Sequence, residues 1–153
     1  MTFTAGQKIS TATLDTIGST ALQMLGATQT AVTQTYGPGT AAAADISGAT
    51  LTFSTQYANT KVAIWAVFDV GSNSTVTTAW GIFVGTCLVD GVAPDGSESH
   101  ATGVRGTVMQ MWIATLGAAG NHTIKLQGAH SGGTDTATTY QTHTKWHALV
   151  FGP

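Results

Sequence analysis

Charge is scarce in this chain. It has five Lys plus Arg and seven Asp plus Glu in 153 residues, 8% of the total, where a soluble domain usually carries about a quarter. The formal net charge is −2. With no basic stripe, the electrostatic drive for nucleic-acid binding is missing. Cysteine is scarcer still: Cys87 stands alone, so an intrachain disulfide framework is excluded, and its apolar setting predicts an inert core thiol. No apolar run approaches the roughly 20 residues of a membrane-spanning helix. No charged start leads into an apolar stretch of the kind that directs secretion, so no signal peptide is expected.

What the chain has in abundance is small residues and threonine: 29 Thr, 22 Ala and 19 Gly, close to half of it. Threonine suits strands, and small residues suit turns and close backbone contact. With 42% hydrophobic residues the composition is not that of a disordered segment. A length of 153 residues fits one domain with a real core. So little surface charge protects a protein poorly from association, which points to a surface covered by neighbours in an assembly.

The organisation changes along the chain. Residues 1–26 offer one helix candidate, with Thr11 as N-cap and Leu14, Ile17, Ala21, Leu22 and Leu25 recurring on one stripe; Gly18 interrupts it. So short a helix needs something to dock on. Residues 27–48 read as a linker or arm, part of it pairing as an edge strand. From 49 onward, strands alternate with turns. "ATLTFS" places Leu51 and Phe53 on one face, while 61–70 and 80–91 are apolar on both faces, the second closing on an Asp-Gly turn. A long strand runs from Val104 to about Leu116, then one around "NHTIKLQ", and a last one from Thr139 to Phe151. Strands separated by turn signals, with no helix between them, predict an all-β antiparallel sandwich; the jelly roll is the topology preferred, which periodicity alone does not separate from an immunoglobulin-like sandwich.

Several strands carry two apolar faces. In the strand ending at Leu116, Val108 and Trp112 point one way, and Met109, Met111 and Ile113 the other. One set fills the core, and the other needs a cover, which a symmetry-related copy would supply in preference to a loop or the N-terminal arm of the same chain.

The search for chemistry is less productive. His143 and His147 have a spacing that chelates zinc on a helix, but in a strand they stand about 13 Å apart. His122 and His130 sit at opposite ends of one strand, and His100 in a polar loop. Asp90, Asp95 and Glu98 fall in an acidic loop that lacks the EF-hand pattern and reads better as turns. There is neither a G-x-S-x-G nucleophile nor a phosphate-binding loop. Sequons at Asn73 and Asn121 decide nothing alone. Trp65, Trp80, Trp112 and Trp146 lie in strands, where core burial is the ordinary outcome. No catalytic residue, cofactor site or metal site is expected.

The opening "FTAGQKISTATLDTIGSTALQ" resembles the start of structural proteins of tailed bacteriophages, notably those infecting actinobacteria, with Asp15 where Asn is common. "RGTVMQMWIATLGAAGNHTIKLQGAHSGG" and "DISGATLTFST" resemble jelly-roll strands of phage head and tail surface proteins. The resemblance implies a virion protein with a trimeric TNF/C1q-like jelly roll and no catalytic residues. On that reading the chain divides into an anchoring segment (1–26), a linker or edge strand (27–48) and a jelly-roll domain (49–153). Phe3, Ile9, Leu14, Ile17, Leu22 and Leu25 attach it to the particle. Met109, Met111 and Ile113, with His143, Lys145 and His147 of the last strand, meet at the trimer axis. The implied partners are copies of itself and the major capsid protein or tail proteins, with neither nucleic acid nor membrane. The alternatives are a minor tail or baseplate protein, a receptor-binding tip recognising host-surface glycan, or, as a second rival, a small hydrolase.

Overall fold

The computed structural model describes residues 23–38, 42–72, 82–94, 99–101, 105–132 and 136–152. Ten strands form two sheets: β1 (Gln23–Thr28), β2 (Thr33–Tyr36), β3 (Ala44–Thr55), β4 (Thr60–Ser72), β5 (Ile82–Val89), β6 (Ser99–Ala101), β7 (Gly106–Leu116), β8 (Gly120–Ser131), β9 (Ala137–Tyr140) and β10 (Lys145–Phe151). Every pairing is antiparallel. Sheet A has six strands in the order β1-β10-β4-β9-β2, with β7 on the other side of β4; sheet B runs β3-β8-β5-β6.

Two of the long strands are interrupted. β1 with β2 forms the first, and β9 with β10 the last, so that β10 pairs with Lys61–Val67 and β9 with Val70–Ser72 along one side of β4. Taken so, the first strand pairs with the last, β3 with β8, β4 with β7 and β5 with β6. This nested pairing is the jelly roll, the preferred one of the sandwich topologies that the pattern of strands and turns leaves open. The interruptions are sealed by buried polar side chains. The Gln29 amide donates to the carbonyls of Ala31 and Thr139 at 2.8 and 3.2 Å, and its backbone N–H donates to Thr144 O at 3.0 Å. The Thr144 hydroxyl accepts from Asp69 N–H at 3.1 Å.

The core follows from the period of two. β4 sends Val62, Ile64, Ala66, Phe68 and Val70 inward, each at most 2% exposed. β10 contributes Trp146, whose indole N–H donates to Ala49 O at 3.0 Å, and β8 contributes Ile124 and Leu126. Cys87 is buried in sheet B, and that burial pushes its thiol up to about 12, the inert core thiol expected. Where the sheets meet, Gly85 and Gly128 face each other in register on β5 and β8. A Cβ on Gly85 would lie 2.8 Å from the Phe68 ring, and one on Gly128 2.5 Å from the Tyr36 ring. The glycine pair is thus a notch that seats two rings. Phe83 packs on both, with centroids 5.6 Å from each. Burial pushes the Tyr36 phenol up to about 12, partly offset by its hydrogen bond with the Thr139 hydroxyl.

Several sequence expectations need correction. Leu25 belongs to strand β1, not to a helical stripe, and packs half-buried against the core; pairing with β10 outweighs a local 3.6 spacing. The final strand breaks at 141–144, so His143 sits in a turn. His100 lies in the short strand β6 rather than a loop. β3 starts at Ala44, earlier than the apolar alternation, with a register shift between Asp45 and Thr50. The Asp-Gly turn is as read: Asp90 and Gly91 have φ of 51° and 82°, and Val89 and Val92 exchange backbone hydrogen bonds across it, a two-residue hairpin of the primed type.

Gly128→Ala is expected to cost about 1–3 kcal/mol through overpacking. Gly117→Ala, whose Cβ meets nothing within 4 Å, should change stability by less than about 0.5 kcal/mol. Denaturant titration of both variants checks this; a Gly128→Ala protein as stable as the parent would remove the notch from the account.

Candidate functional site

The same alternation that fills the core decides what faces outward. On sheet A, cross-strand register stacks the outward residues in rows. Met24, Leu149, Ala63 and Ile113 form one row; Gly26, His147, Trp65 and Met111 the next; Thr28, Lys145, Val67 and Met109 the third. Eight of these twelve side chains are apolar. Met24 is 78% exposed, Met109 71%, Met111 and Ile113 48% each and Trp65 39%. Three strand spacings by four residues give a field of about 14 by 13 Å between backbones. At roughly 200 Å² the field is no larger than patches that folded monomers carry; five large apolar side chains exposed on one sheet face make it the candidate interaction surface.

Met109, Met111 and Ile113 are therefore where the strand pattern puts them, opposite Trp112. Lys145 and His147 share their face, whereas His143 lies in the turn beyond it. Trp112 and Trp146 are core residues as expected, but Trp65 is not: it is the centre of the outer face. A strand apolar on both sides gives no local signal of which side is covered. Gly26 belongs to the same arrangement, because a Cβ there would stand 2.9 Å from His147 Nδ1. Phe3, Ile9, Leu14, Ile17 and Leu22 lie outside the described residues, as do Asn73, Trp80, Asp95 and Glu98.

Beyond the third row the face turns ionic. Asp69 is buried and accepts two hydrogen bonds from the Arg105 guanidinium, at 2.9 and 2.8 Å. Arg105 lies over the Tyr140 ring, 3.8 Å from its centroid, and donates to the Thr142 hydroxyl at 3.2 Å. The Asp69 carboxylate raises the guanidinium above its ordinary value. This clamp ties the start of β7 to β4 and to the β9–β10 turn.

The outer face of sheet B is different in kind. Its polar groups satisfy one another: the Thr52 and Thr123 hydroxyls at 3.1 Å, and the Ser54 hydroxyl donating to Asn121 Oδ1. Asp45 accepts from Lys125 Nζ at 2.8 Å and from Gln127 Nε2 at 2.7 Å. The Lys125 ammonium, then Gln127, hold the Asp45 carboxyl below its ordinary value of 3.8. One face thus has its polar groups paired among themselves, while the other presents exposed apolar side chains among the described residues.

The histidines do not converge. His122 opens β8 and is buried, hydrogen-bonding through Nδ1 to Asp90 Oδ2 at 2.7 Å and through Nε2 to Ala118 O at 3.1 Å. Asp90 also accepts from Thr123 N–H at 2.8 Å. His122 is a strand-entry hydrogen-bonding residue that pins the Asp90–Gly91 hairpin. His130 is fully buried on the same face of β8. Among the described residues no group of three or more His, Cys, Asp or Glu is placed to hold a metal ion.

Comparison with known proteins gives little to add. No family model and no curated protein matches the chain. Among solved structures, it is similar to a structure of infectious bursal disease virus, Gx strain, at 9% identity and a TM-score of 0.46, covering 86% of this chain and 32% of that one. The Gt strain of the same virus gives 12% identity and a TM-score of 0.38, over 85% and 36% of the two chains. A family two carbohydrate esterase from Cellvibrio japonicus gives 13% and 0.28, over 87% and 36%. The chain spans about a third of the length of each, and no assignment follows from likenesses this distant.

Asp45 supplies a pH test of the contrast between the faces. Its folded carboxyl titrates below the unfolded one. Its contribution is therefore complete above the ordinary value and is lost as pH falls through the folded value. Half exposed, the group is screened to about 0.5 kcal/mol. Asp45→Asn should cost about that much near pH 7 and progressively less as pH falls through the folded value, read from denaturant midpoints; a cost that does not change with pH would contradict it.

Proposed function

We propose that this chain is a structural protein of a virion that self-associates through the outer face of sheet A. The observation that carries the reading is the apolar field centred on Trp65 and Met111, with Met109, Ile113 and Met24 around it. Water contact with such a field is costly, at roughly 25 cal/mol per Å². The field alone is roughly 200 Å² of sheet, well short of the roughly 800 Å² per partner of a stable interface. It would be the apolar centre of a larger contact whose rim is polar. Lys145 and His147 supply part of that rim, and the polar outer face of sheet B is left for solvent.

The state we favour is a homotrimer, the arrangement implied by the resemblance to phage jelly-roll proteins. Phe3, Ile9, Leu14, Ile17 and Leu22 would attach it to the particle; Leu25, committed to the core, drops out of that set. Capsid decoration is preferred to a tail position because one compact module without shaft repeats suits a cement protein better than a fibre. The capsid or tail proteins of the same particle are its partners, and no catalytic role is proposed.

One observation favours a second reading. Trp65 presents an exposed aromatic beside Met111, a surface on which a sugar ring can stack. The chain would then be a receptor-binding tip.

Light scattering of the purified chain at micromolar concentration is expected to give a multiple of 15.6 kDa, three by the favoured reading. Met111→Asp, which sets a carboxylate in the field, should yield a folded monomer. A wild-type monomer would overturn the self-association reading. Retention on host cell-wall glycan that Trp65→Ala abolishes, without a change of mass, would favour the second.

A further inference from the structure

A patch that meets itself about a two-fold axis gives a dimer, whereas a ring of three joins two different patches at every contact. In a trimer the apolar field on sheet A therefore needs a different patch on the neighbouring copy, and its charges say of what kind. Lys61, Lys145 and His147 stand exposed on that face, Lys61 in the row of Phe151 and Thr115 next to that of Ile113. Among the described residues its one carboxylate is Asp69, which is 3% exposed and held by Arg105. The face is an apolar centre between cations, with no exposed carboxylate. Its complement is an exposed apolar side chain beside an exposed carboxylate.

Among the described residues, the large exposed apolar side chains away from this face are Val32, Tyr57 and Val92. Val32 and Tyr57 have no acidic residue within two positions on either side. Val92 stands two residues after Asp90 on the same tight hairpin and is 69% exposed. The Asp90 side chain is 45% exposed while engaging His122 Nδ1 and Thr123 N–H, and a carboxylate has about four acceptor sites to offer. The hairpin is a fixed projection, closed by the Val89–Val92 backbone hydrogen bonds of 2.8 and 3.0 Å. It leaves Met109 and Met111 of its own copy exposed. Ile113 borders both the hairpin and the face, so the two patches adjoin along β7. Patches that meet along one edge form the wedge from which a small ring closes about an axis beside that edge.

We propose that the sheet A face of one copy seats the hairpin of residues 90–93 of the next, with Val92 on the field around Trp65 and Met111 and Asp90 turned toward the lysines. Each copy gives one hairpin and receives one, and three such contacts close the ring. The inference rests on the self-association reading and names the patch of the partner that covers the face.

The test mixes two full-length variants changed at exposed positions, Val92→Asp and Met111→Asp, and reads mass by light scattering. Each sets a charge into the contact, where burial without a partner is costly, so each alone is expected at 15.6 kDa. The equimolar mixture is expected at twice that mass. One intact face then meets one intact hairpin, and the opposite contact, with two carboxylates in it, stays open. Val92→Ser, which removes only the apolar tip, should raise the concentration of half-dissociation at least about tenfold. A Val92→Asp or Val92→Ser protein that associates like the wild type, or a mixture that stays at 15.6 kDa, would overturn the hairpin seat. An oligomeric wild type with any of these results loses only this contact, whereas a monomeric wild type removes the self-association reading itself.

Discussion

The seating of Phe68 and Tyr36 in the glycine notch of sheet B is the contact on which the rest of this structure depends. Gly85 and Gly128 are cross-strand partners, and each is approached by a ring from the opposite sheet to within the distance a Cβ would need. The notch fixes how the two sheets lie on one another, and Phe83 and Trp112 close the cluster around the Phe68 ring. It also fixes which face of β4 is inside. With Phe68 inward, pleating sends Val62, Ile64 and Ala66 inward and Ala63, Trp65 and Val67 outward. Shifting β4 by one residue would exchange the two sets, at the expense of the ring contacts. The exposed apolar face is thus a consequence of the core and does not arise independently of it.

This link explains what could and could not be read from residues alone. The long strands were legible because they alternate or are apolar on both faces, and Val108 with Trp112 against Met109, Met111 and Ile113 separated correctly. The Asp90–Gly91 hairpin was legible because only a few residue pairs tolerate two positive φ values. β1, β2, β6 and β9 were not. They are three to six residues long, rich in Thr, Ala and Ser, and held by pairing with distant strands. Leu25 shows the same limit, since its helical spacing to Leu14 and Ile17 is a local signal and its partner Ala148 is more than a hundred residues away. The notch was hidden because a glycine within a strand says that something comes close without saying what.

The candidate site was half legible. The methionines and Ile113 were readable as an unpartnered stripe on one strand. The field they belong to needs the neighbours that register supplies: Trp65 and Ala63 from β4, Leu149 from β10 and Met24 from β1. The histidines ran the other way. Five in a short chain suggest metal chemistry, yet His122 serves as a peg for a turn and His147 as one polar member of an apolar face. Scarce charge and abundant threonine now have places too. Threonines line the outer face of sheet B and the exposed strand positions, and of the charged side chains the described residues pair Asp69 with Arg105 and Asp45 with Lys125.

The central claim is that the outer face of sheet A is covered by other copies of the chain. Oxidative footprinting of Met24, Met109 and Met111 across a dilution series addresses it most directly, because thioether oxidation reports solvent access at each side chain. The account predicts that Met109 and Met111 are protected at high concentration and become reactive together on dilution, while the global fold is unchanged. If both oxidise at the same rate at every concentration in which the protein associates, the face is open to water and the account is wrong.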